Sequence, residues 1–137
     1  MCSRRRFYKG PVNKINAGEK KRVLLHKGKI CIKQLNLYYN GDDTTGSPNN
    51  KWIIKIDGEE ILNDSLENIY IYFAGRSVSE HSDRPVVVTS YSSSTNVYKV
   101  IFHDLGPVVD AIEVWFKNVD MSNHSWVTVG LIYDVLE

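Results

Sequence analysis

After Arg22, apolar residues recur at every second position in one segment after another. Ile30 and Ile32 alternate with Cys31 and Lys33, and Leu35, Leu37 and Tyr39 alternate with Asn36 and Tyr38. The inward phase slips by one residue between Ile32 and Leu35, which predicts a β-bulge near Lys33-Gln34. Trp52, Ile54 and Ile56 share one face, with Lys51, Lys55 and Asp57 on the other. The pattern returns in Tyr98, Val100 and Phe102, in Ile112, Val114 and Phe116, and in Val127, Val129, Leu131 and Tyr133. A period of two is that of a half-buried strand. Residues 23–25, 69–73 and 86–91 are short apolar runs that also read as strands.

Turn chemistry separates these segments. Asp57-Gly58 is a strong hairpin signal, and residues 26–29 read as another turn. Residues 40–50 and 74–84 are rich in Gly, Ser, Asn and Asp and read as exposed loops, with a Ser-rich tip at 92–95. The polar stretch 59–68 predicts a short helical turn capped by Asn63 or Asp64. About eight short strands with no helical periodicity predict an all-β fold. The expected form is an antiparallel β-sandwich of jelly-roll or Greek-key type. A chain of 137 residues suffices for one such domain, placed at residues 22–137.

Charge changes the picture at the N-terminus. The net charge of +1 hides an asymmetry. Residues 1–22 carry Arg4, Arg5, Arg6, Lys9, Lys14, Lys20, Lys21 and Arg22 against Glu19 alone, so this stretch is +7 and the remainder −6. Gly10, Pro11 and Gly18 interrupt it, and no apolar period survives. Residues 1–21 therefore read as a basic arm, disordered or ordered only by a partner. That partner is nucleic acid, an anionic membrane surface or a neighbouring copy. No apolar segment follows the basic residues, so neither a secretory signal nor a membrane span is expected.

Few residues fall in a pattern that carries chemistry. Cys2 and Cys31 read as free thiols, the second buried in a strand, and nothing in their spacing argues for a bridge. His26, His81, His103 and His124 form no metal-ligand spacing. The serines lack the frame of a nucleophile elbow. Asp42-Asp43 and Asp57, Glu59, Glu60 are acidic clusters without a calcium-loop pattern. No phosphate-cradling glycine loop occurs. The expectation is a protein without catalytic residues, cofactor, metal or small-molecule substrate.

Trp115 and Trp126 fall opposite the inferred core faces of their strands. An outward tryptophan anchors a protein interface, stacks on a sugar ring, or is covered by a neighbouring loop. Ile53 and Ile132 also point away from the core, which suits a subunit packed among others.

The short strands, the strand-turn from Trp52 to Gly58, the polar loops and the terminal strand from Trp126 to Tyr133 resemble the small jelly-roll proteins of virus particles. The Arg4-Arg5-Arg6 leader resembles the N-terminal arms of such subunits. The resemblance implies a non-enzymatic capsid, vertex, spike or decoration subunit. It would form a homo-oligomer or join other virion subunits, and would reside in the virion, or otherwise in the cytoplasm. A carbohydrate-binding, lectin-like module is the alternative, with Trp115 or Trp126 stacking on sugar beside Asp42 or Asp43. A non-specific nucleic-acid binder acting through the arm is the third reading.

Overall fold

A computed structural model describes residues 4–41, 48–79, 83–92 and 97–136 of the chain. Among the described residues, ten strands form two antiparallel sheets. They are β1 (Arg4–Lys9), β2 (Asn13–Ile15), β3 (Lys20–Lys27), β4 (Ile30–Gly41), β5 (Lys51–Ile56), β6 (Glu59–Ser65), β7 (Val86–Ser92), β8 (Val97–Val108), β9 (Ala111–Lys117) and β10 (Ser125–Val135). One sheet has the order β1-β10-β4-β8-β7, with β2 also paired to β10, and the other has the order β3-β9-β5-β6.

The pairing is nested. β1 and β2 pair with β10, β3 with β9, β4 with β8, and β5 with its neighbour β6. The chain thus behaves as one long hairpin, folded at the β5–β6 turn and rolled so that successive rungs alternate between sheets. This is jelly-roll connectivity, with β7 added at one edge. Asp57 and Gly58 close the hairpin with φ of 53° and 82°, the left-handed pair that matches strand twist in a two-residue turn.

Sequence periodicity carries the core. Ile54, Ile112, Val114, Phe116, Val127 and Leu35 are all buried from the two facing sheets. Tyr39, Trp52 and Phe116 meet at its centre, with Trp52–Phe116 and Tyr39–Phe116 ring centroids 4.9 Å apart. The bulge is present: the β4–β8 register shifts between Ile32 and Gln34. Opposite it, Asp104 and Gly106 take positive φ without ending β8, which runs on to Val108.

Three expectations are corrected. Residues 4–9 are not a free arm. They pair along their length with β10, from Arg4↔Val135 to Lys9↔Gly130. β2 follows, and its Ile15 is fully buried in the core. Every β1 side chain is exposed, so the strand is held by backbone bonds at a sheet edge and leaves no apolar alternation. At Gly10 the backbone passes so close to β10 that a Cβ would lie 2.9 Å from the Val129 carbonyl oxygen.

Residues 59–65 form β6 rather than a helical turn. The turn comes next, over Leu66–Asn68, and Ser65 caps it by accepting from the Asn68 N–H. Ile69–Phe73 is a π-helical turn, not a strand, closed by Ala74 N–H donating to Ile69 O. Five apolar residues fit either geometry, and here Leu66 and Ile69 anchor one side in the core while Tyr72 is left 75% exposed. The count is therefore ten strands rather than about eight.

Asp57 also organises the opposite hairpin. Its carboxylate accepts from the N–H groups of Val109, Asp110 and Ala111, at 2.7–3.1 Å. The Asp110 N–H, then those of Val109 and Ala111, hold this carboxyl below the ordinary carboxylate range. A lowered folded-state pKa stabilises the fold above the unfolded value, and the contribution is lost as pH falls through the folded one. We expect Asp57→Asn to lower the melting temperature at neutral pH and to flatten its decline below about pH 4. Thermal melts across an acid titration test this, and parallel curves for the two proteins would contradict it.

Candidate functional site

The topology gathers the basic N-terminal residues onto one flank of the sandwich. β1 and β2 form one edge of the six-stranded sheet, β3 is an edge of the four-stranded sheet, and β2 and β10 both touch β3. Arg4, Arg5, Arg6 and Lys9 stand exposed on β1, Lys14 on β2, and Lys20, Lys21 and Arg22 on β3. Arg5 pairs in two-pronged fashion with Asp134, Nε to Oδ1 at 2.9 Å and Nη2 to Oδ2 at 3.2 Å, tying β1 to β10. The Arg5 guanidinium in turn holds the Asp134 carboxyl below its usual range. Phe7, in register with Ile132, is 75% exposed. His26 bridges the sheets here, its Nε2 3.1 Å from the Tyr133 hydroxyl and its ring edge-on to Tyr8. Burial pushes the His26 imidazole pKa down.

The opposite flank is formed by β6 and β7. Edge strand β6 carries Glu59, Glu60 and Asp64, and Glu67 follows in the helical turn. Beside it, an apolar cleft of about 180 Å³ opens between the sheets, lined by Ile54, Ile61, Leu62, Phe73, Val86, Phe102 and Leu105. It is smaller than typical ligand pockets of roughly 300–1,000 Å³.

A second concentration of charge covers the outer face of the four-stranded sheet. Register places its side chains in rows across the strands. Lys20, Lys117, Lys51 and Ser65 form one row, and Arg22, Trp115, Ile53 and Asn63 the next. Leu25, Glu113, Lys55 and Glu60 form the third. Trp115 is the hub: Lys20 Nζ, Arg22 Cζ and Lys55 Nζ lie 5.4, 5.9 and 5.6 Å from its ring centroid. Cations this near an aromatic face are held by its quadrupole. Arg22 also reaches Glu113 at 3.3 Å. Lys117 donates to the Gly18 carbonyl at 2.6 Å. Ile53, expected to face outward as an exposed apolar residue, is only 4% exposed here.

Trp126 lies on the outer face of the other sheet, 40% exposed, between Lys14 and Asn40 in register and edge-on to His124. The structure thus separates the two tryptophans onto different sheets and divides the basic residues between them. Reading the sequence alone misses Lys55 beside Trp115, and Lys51 and Lys117 in the row with Lys20. Each is an outward residue in a strand pattern, and only cross-strand register brings them together. Asp42, Asp43, Cys2 and His81 lie outside the described residues. Cys31 is a half-buried free thiol. Among the described residues no group of three or more His, Cys, Asp or Glu side chains is placed to hold a metal ion. No helix among the described residues is long and apolar enough to cross a membrane.

Fold and surface together define an all-β jelly-roll sandwich with a basic flank, an acidic flank and a basic aromatic sheet face. Compared with models of protein families and with curated proteins, the chain matches none.

Proposed function

We propose that the protein is a non-enzymatic structural subunit of a virion, a jelly roll that assembles with further copies of itself. The observation carrying this reading is the opposition of its two flanks. Arg4, Arg6 and Lys9 line one free sheet edge, and Glu59, Glu60 and Asp64 line another on the far side. Pairing β1 with β1 would oppose like charges, which is unfavourable across strands. Basic edge against acidic edge is favourable and heterologous, so it propagates head to tail and closes into a ring where the rotation allows. Apolar surface is complementary as well: Phe7 is exposed on the basic flank, and the cleft beside Ile61 and Phe73 is open on the acidic one. The resemblance to virion jelly rolls supplies the setting.

Sedimentation velocity tests the reading. We expect the wild-type protein to form a defined oligomer, and Phe7→Asp or Glu59→Lys/Glu60→Lys to shift it to monomer. Mixing Glu59→Lys/Glu60→Lys with Arg4→Glu/Arg6→Glu should restore a mixed assembly through the remaining complementary edges. A wild-type protein monomeric at all concentrations would overturn the proposal. Phe7 and the four charged residues are exposed, so their replacement leaves the core intact.

A carbohydrate-binding module is the second reading, favoured by Trp126 alone. Its exposed ring beside Asn40 and Lys14 has the form of a sugar-stacking platform. Loss of glycan-array signal in Trp126→Ala would support it, and an array without wild-type signal would remove it.

A further inference from the structure

We propose that the outer face of the four-stranded sheet binds single-stranded nucleic acid through its phosphates, with Lys20, Lys117 and Lys51 as the central contacts. This surface is distinct from the β1 edge and does not depend on the assembly reading.

Three lysines on this face stand in an unfavourable arrangement. Lys20 is directly opposite Lys117, and Lys117 directly opposite Lys51. Like charges in register across strands destabilise a sheet, and strands stand about 4.8 Å apart, so three ammonium stems share a span of about 10 Å. Among the described residues none of the three forms an ion pair. The next rows add Arg22 and Lys55 around Trp115, giving five cations against the carboxylates of Glu113 and Glu60. The Trp115 indole N–H is buried, with no acceptor among the described residues. A phosphate entering between the stems would neutralise the row.

The shape selects the polyanion. A sheet face is broad and open, and a flexible strand can follow a row of cations across it, as in other aromatic and basic single-strand platforms. Duplex DNA is stiff over about 150 base pairs and does not conform in this way. An anionic membrane is less suited: Leu25 is the exposed large apolar residue in these rows, and it shares its row with Glu113 and Glu60.

The test is fluorescence anisotropy of a short fluorescein-labelled oligothymidylate over a salt series. Wild-type protein should bind at low salt, with affinity falling linearly on a log–log plot. Lys20→Ser/Lys51→Ser should bind at least about tenfold more weakly, with a slope reduced by about 1.4, since each contact to a single strand contributes about 0.7. Lys51→Ser alone should reduce the slope by about 0.7. Lys33→Ser/Lys99→Ser, an equal charge change on the other sheet, should keep the wild-type slope. Thermal melts should show Lys20→Ser/Lys51→Ser at least as stable as wild type, because the opposed charges are relieved. Absence of wild-type binding, an unchanged slope in Lys20→Ser/Lys51→Ser, or an equal loss in Lys33→Ser/Lys99→Ser would overturn the proposal. So would sedimentation with phosphatidylserine vesicles by a protein that leaves the oligonucleotide unbound.

Discussion

Trp52→Ala is expected to cost about 3–5 kcal/mol, the range for removing a buried tryptophan. The ring is 1% exposed and contacts Phe116 and Tyr39, side chains contributed by different sheets. Its loss opens a cavity where the two halves of the roll meet. Backbone bonds hold the strands of each sheet to one another, and side-chain packing of these rings joins sheet to sheet at this point. Total stability of a domain is about 5–15 kcal/mol, so the variant loses about a fifth of it or more. Urea unfolding monitored by far-ultraviolet circular dichroism measures the change. Trp126→Ala is the control: at 40% exposure its cost should stay within about 1 kcal/mol. Equal losses in the two variants would contradict the assignment of core and surface tryptophans.

Asn118→Asp is the second large effect. Asn118 is completely buried at the end of the roll, where three connections converge. Its amide nitrogen donates towards the carbonyls of Ile15, Asn16 and Asn123, and its oxygen accepts from the Asp120 N–H. Neighbouring Asn50, also buried, accepts from Val119 N–H and reaches Ser125. Together they satisfy backbone groups that no strand can pair. The substitution is nearly isosteric but turns a donor into an anion facing three carbonyl oxygens. An unpaired buried charge of this kind costs about 4 kcal/mol or more. Part of the loss should return on acidification, when the introduced carboxyl takes a proton. Stability curves near pH 7 and near pH 4 measure it, and a cost below about 1 kcal/mol would mean this end of the roll is open to water.

The contrast between these residues explains what the sequence conveyed. Trp52, Ile54, Ile112, Val114 and Phe116 face a dry interior from one side only, so burial stamps a period of two on the chain. The bulge near Lys33 was legible for the same reason, as a slip in phase. β1 was not, because an edge strand with six exposed side chains has no buried face to impose a pattern. Its pairing rests on the backbone, which every residue shares. Asn118 and Asn50 were hidden because a polar residue in a loop is unremarkable until three carbonyls are found around it. Trp115, on β9, was recognised as outward, but its ring of cations comes from β3 and β5. These are distant in sequence, and their mutual register is a property of the fold alone.

The central claim is that the basic N-terminal segment is woven into both sheets, which is what fixes Lys20 and Arg22 beside Trp115 and makes β1 an edge. Hydrogen–deuterium exchange of the purified protein tests it most directly. We expect slowed exchange at the paired amides of Arg4–Lys9 and strong protection within Lys20–Lys27, where β3 pairs with β9. Exchange at the rate of an unstructured peptide throughout residues 4–27 would contradict it, returning those cations to a free arm and dissolving both proposed surfaces.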